Sequence, residues 1–127
     1  MKLILERLKG EVGHLFLRAP YHFISHHPEL RERLLAKEVG LLDNFINEVR
    51  RFYPFFPSLI AKVKRNFEWK HFKFKEGMTA MLDIYGTHHD DRVWEFPEEF
   101  NPDRFKNRDL GPYDFFPQGM GDHFRNH

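Results

Sequence analysis

The sequence contains no cysteine. It forms no disulfide of its own and offers no thiolate to a metal or a substrate. Redox compartment stays open on that ground, with the cytoplasm as the default location. Surplus charge is missing too: 20 basic residues face 19 acidic ones, for a net charge of +1. That balance argues neither for nor against nucleic acid and is only weak ground against a polyanion-driven binder. No apolar run approaches the roughly 20 residues that cross a bilayer, so no transmembrane segment is expected. The opening "MKLILERLKGEVG" breaks its apolar residues with charge, unlike the core of a signal peptide. There is no internal repeat and no low-complexity linker.

Aromatic residues are what the chain has in quantity, with 15 Phe, 4 Tyr and 2 Trp among 127 residues. Together with a hydrophobic content of 41%, they suffice for one core in one domain. Such rings either pack a core and pair strands or line a pocket for a flat or greasy ligand. Composition by itself favours packing.

The apolar spacing predicts two helices. In "HHPELRERLLAKEVG", Pro28 suits the first helical position and Glu29 and Glu32 the first turn. Leu30, Leu34 and Leu35 form its apolar face, and Gly40 is a plausible stop. Leu42, Phe45, Ile46, Val49 and Phe52 then recur at helical spacing, and Pro54 ends that second helix. The period next falls to two. "FEWKHFKF" predicts a hairpin turning at Lys70-His71, although neither residue is the Gly or Asn that such turns favour. In "GMTAMLDIYG", Met78, Ala80, Leu82 and Ile84 alternate as in a half-buried strand. Beyond Gly86 the chain is rich in turns, with prolines at 97, 102, 112 and 117, and has room only for short helical turns. The fold class is α+β.

Glu48 and Arg51, three apart on the second helix, are neighbours on one face, and such a pair is usually solvated. What surrounds them is more telling. "EVRRFYPFFP" precedes the strands, "FPEEFNPDRF" follows them, and "DFFPQGMGDH" comes last. This order resembles the C-terminal part of the cytochrome P450 superfamily, whose E-x-x-R helix is matched by Glu48 to Arg51 and whose later Pro-x-Arg-Phe element is matched by Pro102 to Phe105. "FEW" and "LDIYGTHHD" carry the likeness further, toward the hydrogen-peroxide-using fatty-acid hydroxylases, or peroxygenases, of bacteria and some fungi.

The resemblance covers about residues 26–127 and implies a partial haem-thiolate oxidoreductase domain within a mainly helical fold: two helices, a small antiparallel sheet, a long meander and a haem-approach loop. Residues 1–25 stay unassigned, with a remnant of a preceding helical region held open. Glu48, Arg51 and Arg104 would form a buried bracing network, since a carboxylate between two guanidiniums is both paired and hydrogen-bonded. Phe55 and Phe56 would border the fatty-acid channel. Gln118, Gly119, Gly121 and His123 would shape the loop against haem, where glycine lets the backbone come close. By alignment the iron-ligating cysteine would fall two residues beyond His127, so no catalytic group and no metal ligand is assigned here. The expectation is a piece truncated at its C-terminus, inactive alone and not retaining haem. Fatty acid and hydrogen peroxide would be the partners of the complete protein.

Some positions depart from the pattern. Met120 interrupts a glycine run, Asp91 stands where proline is common, and Arg125-Asn126 replaces a small pair. Arg18-Ala19-Pro20 lies too near His27-Pro28 to be the substrate-positioning Arg-Pro pair of the peroxygenases.

Three rival readings accompany this one. His88, His89, Asp90 and Asp91, or His123 with His127, suit a zinc site by residue type, but neither group brings a second ligand pair at fixed spacing. "KVKRNFEWKHFKFK" interleaves Lys62, Lys64, Arg65, Lys70, Lys73 and Lys75 with four aromatics, as a nucleic-acid-binding sheet does. The plainer reading is a hairpin with a buried aromatic face and a solvated lysine face, and no nucleic acid is expected. The third rival is a non-catalytic remnant that keeps family motifs without activity.

Overall fold

A computed structural model of the chain describes residues 15–108, 110–111 and 113–117. The first helix among the described residues, α1 (Leu15–His26), holds Pro20 in its interior. This helix arises within the stretch that carried no sequence assignment. α2 (Pro28–Leu35) begins as its sequence predicts, with proline at the start, where no N–H is needed, and Glu29 in the first turn. It stops at Leu35 rather than at Gly40. Leu30 points inward, whereas Leu35 is 57% exposed and lies off the buried face.

Gly40 has a different task from ending α2. It takes the left-handed conformation, φ 76°, at the N-cap of α3 (Leu41–Phe52), and so turns the chain into that helix. α3 ends at Phe52, with Tyr53, the residue before Pro54, as its C-cap. One of its faces carries Leu41, Phe45, Ile46 and Val49 into a core shared with Ile24 and Leu30, with Phe23, Leu34, Leu42 and Phe100 packed around it. Phe45 is fully buried, a burial that contributes about 1.5–3 kcal/mol.

Two small antiparallel sheets follow. β1 (Ser58–Lys62) pairs with β4 (Thr79–Asp83), with Ile60 opposite Met81. Between them lies the hairpin of β2 (Phe67–Trp69) and β3 (Phe72–Phe74), with Phe67 opposite Phe74 and Trp69 opposite Phe72. Its turn does fall on Lys70 and His71. Both have positive φ, 45° and 66°, so two ordinary residues take the backbone shape usually given to Asn-Gly. The hairpin's aromatic face differs from the buried one expected. Phe67 is 48% exposed, Trp69 60% and Phe72 53%.

Ile84 leaves the strand to open a short helix, α4 (Ile84–His88). The Asp83 carboxylate caps it by accepting from the Gly86 N–H at 2.8 Å. A Cβ on residue 86 would run into that carboxylate, which would have to swing away and give up the cap. The meander then runs to a single 3₁₀ turn, Pro102–Phe105, which Asn101 caps by accepting from the Asp103 N–H. Trp94, Phe105, Phe115 and Phe116 gather around His88 as a second, aromatic cluster.

Candidate functional site

On the flank of α3 next to its apolar stripe, Glu48 and Arg51 are both fully buried. The surface pair that their spacing suggests is therefore not what forms. Arg51 donates from Nε to Glu48 Oε2 at 2.8 Å and from Nη2 to Oε1 at 2.9 Å. Arg104, 56 residues further along, donates from Nε to the same Oε1 at 3.0 Å. The Asn101 N–H adds a fourth bond to Glu48, at 2.8 Å. A buried carboxylate is costly unless paired and hydrogen-bonded, and this one is both.

The remaining donors of the two arginines go to main-chain carbonyls. Arg51 reaches His88 O at 2.6 Å and Glu99 O at 3.2 Å. Arg104 reaches Glu95 O at 2.6 Å, Phe96 O at 3.1 Å and Glu99 O at 2.7 Å. This answers how a stretch with little regular structure keeps its shape, because its carbonyls are satisfied by guanidiniums instead of by a ladder. Trp94, fully buried, stacks beneath Arg108 at 4.2 Å and lies 5.5 Å from Arg51. A cleft of about 360 Å³ opens beside Arg104, lined by Glu95, Glu99, Asp103 and Arg108 among others. Its polar walls make it a poor host for an apolar ligand.

A second ion cluster ties α2 to the 3₁₀ turn. The Arg33 guanidinium donates to Glu38 at 2.7 and 2.9 Å and to Asp103 at 2.8 and 2.9 Å. Hydrogen bonding to Arg33 lowers the Glu38 carboxyl to about 2 and lowers that of Asp103 as well.

Phe55 and Phe56 lie in the turn between α3 and β1, half exposed, edge to face at 4.4 Å. Gln118, Gly119, Gly121 and His123 lie outside the described residues, as does His127. The histidines at 88 and 89 diverge. His88 is buried in the aromatic cluster, while His89 stacks on Tyr85 at 4.0 Å with Nδ1 3.0 Å from the Tyr85 carbonyl oxygen. Among the described residues no three His, Cys, Asp or Glu side chains form a group suited to a metal. No described helix is long and apolar enough to cross a membrane.

Sequence reasoning missed His88, Trp94 and Arg108 as structural participants. For Arg108 and Trp94 the signal was slight, one cation and one ring in a turn-rich stretch. His88 sat in a polar string, "HHDD", that reads as exposed.

A family model described as Cytochrome P450 matches residues 23–124. The match takes in well over half of the chain, so the chain belongs to the cytochrome P450 family, and its helices and small antiparallel sheets are a part of that fold. Within the family, solved structures of CYP152 proteins are similar to it. Cytochrome P450EX alpha (CYP152N1) with myristic acid is 44% identical, with a TM-score of 0.71 over 81% of this chain and 25% of that one. Ligand-free cytochrome P450 OleT is 38% identical, with a TM-score of 0.74 over 88% and 26%. Among curated relatives, cytochrome P450 3A11 of Mus musculus is 30% identical over 120 residues, 79% of this chain and 24% of that protein. The chain thus spans about a quarter of the length of these relatives.

Proposed function

We propose that this chain is part of a haem-thiolate oxidoreductase that hydroxylates fatty acids with hydrogen peroxide. The buried network of Glu48, Arg51 and Arg104 carries the proposal, in a chain 44% identical to a structure holding myristic acid. The network braces the meander from which the expected cofactor loop departs. It touches no substrate.

At one edge the described residues would suit haem or an acyl chain, because Phe55 and Phe56 offer two half-exposed rings as an apolar margin. Haem, when bound, supplies the oxidising chemistry, and its axial ligand tunes it. The 127 residues contain no cysteine, so a thiolate ligand would have to come from outside them, and the chain would contribute positioning rather than the reacting group. Gln118, Gly119, Gly121 and His123 would shape the loop against the cofactor, and Phe55 and Phe56 would border the acyl chain and keep water from it. The chain alone is inactive in this proposal.

The test uses the full gene product with haemin and myristic acid. Hydroxylated acid formed with hydrogen peroxide alone supports the reading. Product that appears only with a reductase and a reduced nicotinamide replaces the oxidant, and no product under either condition leaves a non-catalytic relative. Phe55→Ala or Phe56→Ala is expected to raise KM for myristic acid about tenfold while haemin binding is kept, since losing one ring's contact forfeits roughly 1–2 kcal/mol. An unchanged KM removes that phenylalanine from the channel.

A further inference from the structure

We infer that His88 is a positioning residue, a neutral imidazole that latches the segment Phe115–Phe116 onto the Glu48–Arg51–Arg104 network. Its consequence for a cofactor rests on the proposed function, because that segment leads into the expected haem loop. The latch itself stands on described atoms.

His88 is fully buried, and its Nε2 lies 3.2 Å from the backbone N of Phe116, 28 residues away. Its own main-chain oxygen accepts from Arg51 Nη1 at 2.6 Å. One residue therefore holds the network's cation through its carbonyl and the loop's backbone through its ring. The imidazole lies 5.4 Å from the Phe115 ring, 5.3 Å from that of Phe116 and 6.4 Å from that of Trp94. These rings fix its orientation, which a surface histidine would lack.

The bond needs a particular protonation state. To accept from the Phe116 N–H, Nε2 must be bare, which puts the ring proton on Nδ1. Nδ1 has no partner among the described residues, so no acceptor at Nδ1 offsets the charge that a proton on Nε2 would create. The charged groups around the ring point the same way. Arg51 faces it from α3, His89 follows it as the C-cap of α4, and Arg108 lies over the Trp94 ring at 4.2 Å. On the loop side Asp114 is engaged with the Gly111 N–H at 3.0 Å. Burial first, then Arg51 and His89, lower the His88 pKa to about 4, so the imidazole is neutral and able to accept near neutral pH. Adding a proton would remove the acceptor and set a cation beside a guanidinium.

The experiment is hydrogen exchange of the Phe116 amide in the full gene product, read residue by residue with the α3 amides as internal reference. Wild type, His88→Gln and His88→Phe are compared. The Gln side-chain carbonyl reaches about as far as Nε2 and can accept the same N–H, whereas Phe keeps the ring shape without an acceptor. The expected result is a five- to tenfold loss of Phe116 protection in His88→Phe at pH 7, as the loss of one hydrogen bond implies. His88→Gln keeps its protection at every pH, and wild type loses it as pH falls toward 4. Protection in His88→Phe within twofold of wild type, with α3 unchanged, overturns the latch. If His88→Phe fails to fold, the other two proteins decide, and parallel acid loss in both overturns it equally. Haemin titration separates this from the functional proposal. A protein with the latch but no affinity for haemin refutes the haem reading alone, and one that binds haemin without the latch refutes this inference alone.

Discussion

Replacing Glu48 with alanine should be among the most damaging single changes in the chain, and the structure sets its size. Glu48 Oε1 accepts from Arg51 Nη2, Arg104 Nε and the Asn101 N–H, and Oε2 accepts from Arg51 Nε. Glu48→Ala leaves a fully buried Arg51 and a largely buried Arg104 with no counter-charge. Removing one partner of a buried pair costs about 3–5 kcal/mol, mostly as the penalty of the orphaned charge. The four bonds do not add separately, because the arginines keep their carbonyl partners. Total stability of a domain is about 5–15 kcal/mol, so the change removes a large part of it. Urea unfolding of the full gene product is the assay. With a slope of about 1.5 kcal/mol per molar urea, the midpoint should fall by roughly 2–3 M. Glu48→Gln should fall less, since the amide oxygen can stay at the Oε1 position while its NH2 opposes the Arg51 Nε–H. Arg92→Ala is the contrast, because its ion pair with Asp90 leaves the Arg92 side chain 85% exposed, and no resolvable shift is expected. A Glu48→Ala midpoint that matches Arg92→Ala would refute the claim that this network braces the fold.

His88 makes stability depend on pH: its pKa falls from 6.5 to about 4 on folding. The unfolded chain therefore takes up this proton first, and stability present above pH 6.5 is lost as pH drops toward 4, by on the order of 3 kcal/mol at most. His88→Phe should flatten that part of the curve, and a wild-type urea midpoint level from pH 7 to 4 contradicts the assignment. Gly40→Ala meets nothing within 4 Å of the new Cβ, so only the backbone at φ 76° resists it. That strain costs about 1 kcal/mol, and a thermal midpoint equal to wild type would show that residue 40 leaves the left-handed region. Of the chain's tryptophans, Trp69 is 60% exposed and Trp94 fully buried. In a Trp69→Phe background the emission from the other should be blue-shifted and move to the red on adding Glu48→Ala, and red emission from the start would place Trp94 in water.

How much of this was readable beforehand depended on how far each determinant lies along the chain. α3 was legible because its apolar residues repeat at helical spacing and proline closes it, all within one window. α1 was not, since Pro20 argues against a helix interior and its support comes from the tertiary core through Ile24. β1 escaped because "SLIAK" has no alternation of its own, and the strand exists by pairing with residues 79–83. The Lys70-His71 turn was placed correctly although its residue types opposed it; the cross-strand Phe67–Phe74 stack, at 4.6 Å, helps impose the register. The burial of Glu48 was beyond any local reading, for it is decided by Asn101 and Arg104, 53 and 56 residues away. Only the likeness in motif order suggested it. His88 fails in the reverse sense, because its neighbours in sequence are polar and its neighbours in space are rings.

The guanidiniums of Arg51 and Arg104 grip the meander by the carbonyls of residues 88, 95, 96 and 99, not by its side chains. Every amino acid supplies a carbonyl, and the side chains of Glu95, Phe96 and Glu99 face outward. This part of the surface is therefore open to evolutionary rewriting: substitutions can accumulate there, altering charge or stickiness toward other molecules, while the interior stays as it is. Length is another matter. Inserting or deleting one residue between 88 and 99 would carry the carbonyls past their donors, so positions 95, 96 and 99 should tolerate many spellings while the segment tolerates almost no change of count.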